Sequence, residues 1–297
     1  MSEFIMLMGL PACGKSTFSK EVLLKQYVDA VYLSSDAIRK ESFGDESVQG
    51  DPSKIFDVML QRTRDALKAG KNVIYDATNV VRKRRISLLK QLPKDTIKTC
   101  YLIWSSYYNC ILDDSRRSRH VGESVIRKML LRFEPPWYDE GWDRIQVYQR
   151  NLLSFDDTFK YLDIPHDNPH HKGTILDHVR RVEKEVDKNY SNDTHYRILK
   201  EVAKFHDFQK PFVKTFEDFK GNVSEVAHYY EHQHVGAYCY LGVYPIKDVD
   251  KDTILYVSRL IDLHMMKFFK ESGYYRDLDK ETKELLSIFN ECDIKGA

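Results

Sequence analysis

Residues Gly9-Leu10-Pro11-Ala12-Cys13-Gly14-Lys15-Ser16-Thr17 decide the fold of the first half of this chain. They follow the apolar run Phe4 to Met8, which predicts a buried strand, and lead into Ser16 to Gln26, whose periodicity predicts a helix. Glycines in such a turn let backbone amides surround phosphate oxygens, while the lysine reaches the β and γ phosphates and the next hydroxyl binds Mg²⁺. We therefore expect ATP and Mg²⁺ to be bound by Gly9, Gly14, Lys15, Ser16 and Thr17.

More short apolar runs alternate with helical patterns along the first half. Strands are predicted at Val31 to Leu33, Val73 to Tyr75 and Tyr101 to Trp104, and helices at Pro52 to Ala69 and Lys83 to Gln91. Repeated strand-helix-strand units form a parallel sheet covered by helices. The first half is therefore predicted to be an α/β domain.

The second half consists mainly of long helical patterns. Helices are predicted at Ile175 to Val186, Tyr196 to His206, Thr253 to Phe269 and Lys280 to Cys292, which makes this half all-α. Between the halves, Asp163 to His170 contains two prolines and turn-forming residues that interrupt a helix. We predict domains at residues 1–162 and 166–297.

Length and composition limit the class of protein. A chain of 297 residues with 42% hydrophobic residues is large enough for two cores that need no disulfide or structural metal. The five cysteines lack paired spacing, which is typical of reduced thiols in a cytosol. Neither a basic leader nor an apolar run of membrane-spanning length is visible. We expect a cytoplasmic protein without a membrane partner, and a homo-oligomer remains open.

The net charge is only +1, so a polyanionic partner would have to be bound by local patches. Two basic segments are candidates, Arg82-Lys83-Arg84-Arg85 and Arg116-Arg117-Ser118-Arg119-His120. A charge run is usually a solvated helix face. A nucleic-acid strand in a groove, however, needs several phosphate contacts, and these segments favour a polymer to that extent.

The segment after the second predicted strand carries residues suited to the acceptor of a phosphoryl group. Asp36 lies at the carboxyl end of that strand, where ligands bind in open α/β sheets. Its carboxylate could take the proton of an attacking hydroxyl, and Arg39 could bind a phosphate of the acceptor. Alternatively, Asp36 could cap the helix that starts there.

A resemblance to a known family is carried by Gly9 to Thr17, Ser35-Asp36-x-x-Arg39, Tyr75-Asp76-Ala77-Thr78-Asn79 and Arg116 to Val121. Over residues 1 to 160 the chain resembles the P-loop 5′-hydroxyl polynucleotide kinases of phages and bacterial RNA-repair systems. The resemblance implies that Asp36 is the general base, that Arg39 holds the acceptor's phosphate and that Asp76 helps to bind Mg²⁺. It assigns stabilisation of the transferred phosphoryl group to Arg116, with Arg119 as the second choice.

Histidines and aspartates recur along the helical half at intervals of 26 to 32 residues. Such intervals let consecutive helices each direct one ligand inward. Mixed imidazole and carboxylate ligands suit Mn²⁺, Fe²⁺, Ni²⁺, Co²⁺ or Zn²⁺, and two such ions could act together on a phosphoryl group. The candidate ligands are His178, His206, Asp207, His232, His264 and Asp293.

Four segments carry a second resemblance: Asn168-Pro169-His170-His171, Phe205 to Pro211, Tyr230 to Ala237 and Glu291 to Gly296. They resemble HD-domain phosphohydrolases, and most of all the HD domain of bacterial CCA-adding enzymes, a 2′,3′-cyclic phosphodiesterase and phosphatase. The resemblance implies a core metal set of His178, His206, Asp207 and Asp293, to which binuclear members add His232 and His264. Lys210 is expected to contact the substrate phosphate. Asp262 and His234 are rivals for the last two positions, and Gln209 stands where such proteins often have Gly.

Together these patterns predict an end-healing enzyme for broken RNA, with DNA as a further possible substrate. One domain would phosphorylate a 5′-OH with ATP, and the other would open a 2′,3′-cyclic phosphate and remove a 3′ phosphate, so that a separate polynucleotide ligase could join the ends. A small-molecule nucleoside or nucleotide kinase fused to a nucleotidase or alarmone-type hydrolase is the alternative. A non-enzymatic ATP-dependent sensor is a third interpretation.

Overall fold

The computed structural model describes residues 1–44, 51–154, 159–169, 172–269 and 272–297. The chain divides into two compact units. The first consists of Met1–Met129 and Pro136–Asn151, and the second of Leu130–Pro135 and Leu152–Ala297.

This division comes earlier in the chain than the predicted boundary at Asp163 to His170, of which His170 lies outside the described residues. The amide of Leu153 donates to the Gly242 carbonyl at 2.8 Å, and the ring of Phe159 lies 5.3 Å from that of Phe205. Both contacts join the segment that precedes Pro165 to the helical second unit. The two prolines therefore lie within the second unit rather than between the units.

The first unit is built on a five-stranded sheet in the order β2-β3-β1-β4-β5, and all pairings are parallel. The strands are β1 (Glu3–Met8), β2 (Val31–Ser34), β3 (Val73–Asp76), β4 (Ile97–Trp104) and β5 (Arg144–Gln149). Every residue of the central β1 is buried, as expected for a parallel strand with helices on both faces. The prediction of a parallel-sheet α/β fold is confirmed for this part of the chain.

The helices of the first unit connect and cover these strands. After the glycine turn, α1 (Lys15–Phe18) continues through a π-helical turn (Ser19–Leu23) into α2 (Leu24–Gln26). The remaining helices are α3 (Ser35–Phe43), α4 (Pro52–Lys68), α5 (Arg82–Leu89), α6 (Tyr107–Ser115) and α7 (Glu123–Leu130).

A buried ion pair lies beside the sheet. The guanidinium of Arg85 binds both carboxylate oxygens of Glu140, at 2.6 and 2.7 Å, and both side chains are fully buried. Arg85 also donates to the Asn79 carbonyl, while the Asn79 amide donates to the carbonyl of Leu7 in β1. The interpretation of Arg82 to Arg85 as a solvated face is therefore wrong for Arg85, and Arg82 is paired with Asp139 at 3.2 Å.

The second unit is mainly helical. Its helices are α8 (Ile175–Tyr190), α9 (Tyr196–Phe205), α10 (Lys210–Val213), α11 (His232–Tyr240), α12 (Lys251–Leu263), α13 (Gly273–Asp277) and α14 (Lys280–Lys295). The helix predicted from Thr253 to Phe269 is α-helical only to Leu263 and continues as a 3-10 helix (His264–Phe269).

The prediction that this unit is all-α is wrong, because β6 (Thr215–Glu217) and β7 (Val223–His228) form an antiparallel hairpin. The turn is closed by Asp218, whose carboxylate accepts the amides of Lys220 and Asn222 at 2.8 Å. Gly221 has a positive φ of 83° there, which glycine adopts without strain.

The Arg85–Glu140 pair should be a major contributor to the stability of the first unit. We expect Glu140→Ala to lower the free energy of unfolding by about 3–5 kcal/mol, because it leaves the Arg85 charge buried without its partner. The chain's three tryptophans, Trp104, Trp137 and Trp142, all lie in this unit, so urea unfolding followed by tryptophan fluorescence reports on it selectively.

The matched control is Glu41→Ala, which removes an equally bidentate but exposed partner of Arg62. This variant should leave the unfolding midpoint unchanged, since solvent screens an exposed pair. Equal losses in the two variants would contradict the role given to the buried pair.

Candidate functional sites

The glycine-rich loop at the end of β1 is closed around the amine of Lys15. The Nζ atom donates to the carbonyls of Gly9 and Leu10, at 3.1 and 2.7 Å. A Cβ on Gly9 would lie 2.4 Å from the Ile103 carbonyl oxygen, and Gly14 has a φ of 97°, so both positions require glycine. The loop and the first turn of α1 therefore present backbone amides and one lysine to the same space.

A buried carboxylate lies beside this loop, at the end of β3. Asp76 is 4% exposed, and its Oδ2 atom accepts hydrogen bonds from the Ser16 hydroxyl at 2.8 Å and the Tyr32 hydroxyl at 2.6 Å. A serine hydroxyl and a carboxylate are oxygen ligands of the kind Mg²⁺ prefers. The structure thus brings together Ser16 and Asp76, the two residues expected at the metal, and adds Tyr32.

The acceptor-side residues lie at the start of α3. Ser34, not Asp36, is the N-cap, because its side chain accepts the amide of Ala37. The cap interpretation of Asp36 is therefore wrong. The Oδ1 atom of Asp36 instead lies 2.8 Å from Arg39 Nη1 and 3.1 Å from Arg119 Nη1.

Of the two arginines expected to stabilise a transferred phosphoryl group, Arg119 is the one that contacts Asp36. Its side chain is 16% exposed. The side chain of Arg116 is 68% exposed and lies 3.8 Å from Asp113. The family resemblance favours Arg116, but a resemblance in sequence does not determine the direction of a side chain in an irregular segment.

These groups line one pocket of about 670 Å³ within the first unit. Its polar lining includes Lys15, Ser16, Asp36, Arg39, Asp76, Arg84, Arg116, Arg117 and Arg119. The same pocket has an apolar lining that includes Phe56 of α4 and Val125 and Met129 of α7. The pocket therefore combines the glycine-rich loop, the carboxylate proposed as a base and apolar surface.

One residue of this pocket, Arg150, was not found from the sequence. It follows β5, and its guanidinium binds Asp113 at 2.7 Å. Its side chain lies so close to Gly14 that a Cβ there would be 2.8 Å from Arg150 Cδ. The strand before it was not predicted, so nothing had placed Arg150 at the edge of the sheet where the loop lies.

In the second unit the candidate metal ligands form two buried groups, within each of which the ligand atoms lie within 4.8 Å of one another. One group contains His178, His206 and Asp293, and the other Asp207, His232 and His264. The Nε2 atoms of His178 and His206 are 3.1 Å apart, and those of His232 and His264 are also 3.1 Å apart. All six residues expected as ligands are therefore gathered at one place in the unit.

Asp207 links the two groups. Its Oδ2 atom lies 3.3 Å from Nε2 of both His178 and His206, while Oδ1 lies 3.3 Å from Nε2 of His232 and 3.9 Å from that of His264. Burial alone would raise the pKa of Asp207, but His206 and Lys210 hold it well below its usual range. This carboxylate can face two cations at once.

The four histidines share an orientation that suits metal binding. In each ring Nδ1 contacts a backbone carbonyl, at distances of 2.7 to 3.1 Å. A backbone carbonyl can only accept, so Nδ1 donates, and Nε2 is the atom of each ring that is left to bind a metal. The carbonyls belong to Gly296, Ala203, Tyr229 and Ile261 for His178, His206, His232 and His264 respectively.

The pKa values of His178 and His264 are shifted in opposite directions. Burial alone would lower the pKa of His178, but hydrogen bonds and attraction to Asp207 and Asp293 outweigh burial and raise this pKa to about 9. Burial and the neighbouring His232 and His206 lower the pKa of His264 well below its ordinary value. His264 is therefore a neutral ligand at pH 7, whereas His178 must lose a proton to bind a cation.

The rivals proposed for the last two ligand positions bind each other instead. Nδ1 of His234 lies 2.5 Å from the buried carboxylate of Asp262, and its Nε2 lies 3.1 Å from Glu231. The geometry thus brings His232 and His264, rather than His234 and Asp262, into the second group.

Two further residues lie beside the candidate metal ligands. Lys210 was expected there from the sequence, and His166 was not. Lys210 Nζ is 2.6 Å from Asp207 Oδ2 and 5.3 Å from the ring centroid of Tyr229. His166, which sequence reasoning missed, is buried with its ring against those of His178 and Tyr229. In the motif Asn168-Pro169-His170-His171, His170 and His171 lie outside the described residues.

Comparisons with known proteins concern mainly the first unit. A family model described as an AAA domain matches residues 4–136. An L-seryl-tRNA(Sec) kinase of Methanococcus maripaludis is 27% identical over 149 residues, which are 47% of this chain and 55% of that protein. The chain thus spans about half the length of this curated relative. The first unit is a parallel-sheet α/β domain, and residues 4–136 of it and of the segment that follows match this family model.

Solved structures show a more limited likeness. An RNA repair complex of Pnkp1, Rnl and Hen1 is 19% identical with a TM-score of 0.40, covering 43% of this chain and 42% of that one. A gluconokinase from Sinorhizobium meliloti is 18% identical with a TM-score of 0.36, covering 50% and 82%. A fungal RNA kinase is 16% identical with a TM-score of 0.34, covering 71% and 50%. These TM-scores are too low to support an argument about activity.

Within the part of the chain that the structure describes, no helix combines the length and the apolar character needed to cross a membrane.

The two histidine groups should bind two divalent cations per chain. We expect purified protein loaded with Mn²⁺ and desalted to retain about two equivalents, and Asp207→Ala to lose both, because this carboxylate faces both groups. His178→Ala and His264→Ala should each lose one equivalent. Metal content measured by elemental mass spectrometry checks this.

The control is His195→Ala, a surface histidine paired with Glu281 away from the ligands. It should retain full metal content. Equal metal content in wild type, Asp207→Ala and His195→Ala would contradict the assignment.

Cation binding to the first group should depend on pH. With its pKa at about 9, His178 carries a proton at pH 7 in the metal-free protein, so apparent affinity rises as the pH increases toward 9. His264 needs no such release. Calorimetric titration at pH 7 in buffers of different ionisation enthalpy should therefore show proton release linked to cation binding. Two events without proton release would contradict this.

Proposed function

We propose that the chain heals the ends of broken RNA. Its first unit would be an ATP- and Mg²⁺-dependent 5′-hydroxyl polynucleotide kinase. Its second unit would be an HD-type metal phosphohydrolase that opens 2′,3′-cyclic phosphates and removes 3′ phosphates. A polynucleotide ligase would then have both termini it needs.

The observation that carries the kinase proposal is the single pocket that contains both the phosphate-binding loop and Asp36. Lys15 and the amides of the loop would bind the ATP phosphates, and Ser16 with Asp76 would hold Mg²⁺. These donors fit their ligands, since Ser16 and Asp76 are already in contact and Lys15 lies inside the loop. Bound MgATP supplies the γ-phosphoryl group and neutralises part of its charge.

The acceptor chemistry follows from Asp36 and its two arginines. Asp36 Oδ1 would accept the proton of the attacking 5′-hydroxyl. Arg39 and Arg119, both within 3.1 Å of that carboxylate, would turn to the phosphates as the substrate enters. Arg119 would stabilise charge on the transferred group, and the more exposed Arg116 could join it.

Two observations support a nucleic acid as the acceptor. Phe56, Val125 and Met129 give the pocket apolar surface that suits a nucleobase better than a sugar. The curated relative acts, by its name, on an L-seryl-tRNA. Because Arg82 and Arg85 are paired internally, the basic support for a polymer comes from Arg84 and the segment Arg116 to Arg119.

The hydrolase proposal is supported by the shared Asp207 and the orientation of the four histidines. Two transition-metal ions such as Mn²⁺, Ni²⁺, Co²⁺, Fe²⁺ or Zn²⁺ fit this donor set and would polarise a phosphoryl oxygen and activate water. Lys210 would bind the substrate phosphate from its position beside Asp207. The histidine Nδ1–carbonyl bonds would keep the ligands in place during the reaction.

Single substitutions should separate the two activities. We expect Asp36→Asn to lower the rate of 5′-phosphorylation by about 10²–10⁴-fold, the range for loss of a general base, and to leave cyclic-phosphate hydrolysis unchanged. Asp207→Ala should abolish hydrolysis and leave phosphorylation intact. Labelled ATP with a 5′-OH RNA, and a separate RNA ending in a 2′,3′-cyclic phosphate, measure the two rates.

Asp57→Asn, an exposed carboxylate of α4, is the control for Asp36 and should retain full activity. Seryl-tRNA and free nucleosides serve as further acceptors. Faster phosphorylation of either of these than of a 5′-OH RNA would contradict the proposed substrate. A wild-type protein that is inactive on the cyclic phosphate with every metal tried would contradict the proposed hydrolase activity of the second unit.

A further inference from the structure

Tyr32 occupies a special position on the sheet. Along β2, Tyr32 is the register partner of Ile74 and Ser34 that of Asp76. Alternate residues of a strand share a face, so Tyr32, Ile74 and Asp76 lie on the same face of the sheet. The long ring of Tyr32 therefore reaches diagonally from the edge strand toward the end of β3.

The Tyr32 hydroxyl contacts the same carboxylate oxygen of Asp76 that also binds the Ser16 hydroxyl. Asp76 Oδ2 accepts from Tyr32 Oη at 2.6 Å and from Ser16 Oγ at 2.8 Å. A carboxylate oxygen can only accept, so the Tyr32 hydroxyl is the donor in this contact. Two hydroxyl donors fix the rotation of a carboxylate that is 4% exposed.

We propose that Tyr32 is a positioning residue for Mg²⁺ binding at Ser16 and Asp76. By occupying one side of Oδ2, its hydroxyl holds the Asp76 carboxylate in the plane that lets Ser16 and Asp76 serve the same cation. The inference rests on the proposed MgATP site of the first unit. It gives Tyr32 no contact with the substrate and no part in the proton transfer.

The role belongs to the hydroxyl rather than to the ring. Tyr32→Phe retains the half-buried ring and its packing against the sheet, and removes only the donor to Asp76. Tyr27 offers a matched control, because its hydroxyl also donates to a carboxylate of the first unit, Glu3 Oε2, at 3.2 Å. Neither Tyr27 nor Glu3 lines the pocket.

The test is ATP binding with and without Mg²⁺, measured by calorimetry on the full chain. Tyr32→Phe should weaken ATP binding about tenfold in the presence of Mg²⁺, the size expected for one hydrogen bond to a charged group, and leave binding in EDTA unchanged. Tyr27→Phe should bind like wild type in both conditions. In an Asp76→Ala background, Tyr32→Phe should have no further effect, because the carboxylate that it positions is gone.

Other results would overturn the inference. Equal weakening of ATP binding with and without Mg²⁺ would show a general structural effect, and unchanged binding in both would show no effect at all. The result is separable from the proposed kinase activity. If wild type binds MgATP and responds to Tyr32→Phe as expected, but phosphorylates no acceptor, the kinase proposal fails and the role of Tyr32 stands.

Discussion

The parallel pairing of β1 between β3 and β4 is the constraint on which the first site depends. It brings the carboxyl ends of the strands to one edge, so that the glycine loop after β1, Asp76 at the end of β3 and the helix after β2 adjoin one pocket. The buried Arg85–Glu140 pair is connected to this edge of the sheet, because Arg85 also donates a hydrogen bond to the Asn79 carbonyl. The closeness of the glycine-rich loop to Asp76 and Asp36 is a consequence of that topology.

In the second unit, helices rather than strands bring the candidate site residues together. Six ligands separated by more than a hundred residues of sequence converge because α8, α11, α14 and the ends of α9 and α12 direct them inward. Without a cation, buried carboxylates favour the protonated form of a neighbouring imidazole, as the raised pKa of His178 illustrates. The Asp207 carboxylate faces both groups, and this geometry is what supports the proposed two-cation centre.

Sequence reasoning succeeded where the signal was local. The loop around Lys15 and the apolar runs of β1 to β4 were visible because residue type and spacing carry them. The edge strand β5 was missed, since its alternating Arg144 to Gln149 pattern is less apolar. The burial of Arg85 could not be foreseen either, because its partner lies 55 residues further on. Likewise, the family resemblance could not determine whether Arg116 or Arg119 points toward Asp36, because both residues belong to an irregular segment.

The most direct test of the proposed end-healing activity uses one RNA cut by a ribonuclease that leaves a 5′-OH and a 2′,3′-cyclic phosphate. After incubation of wild-type protein with ATP, Mg²⁺ and Mn²⁺, mass spectrometry of both fragments should show a 5′ phosphate on one and loss of the cyclic phosphate on the other. Fragments that keep both original ends, while the same protein phosphorylates a free nucleoside or sugar, would contradict the proposal.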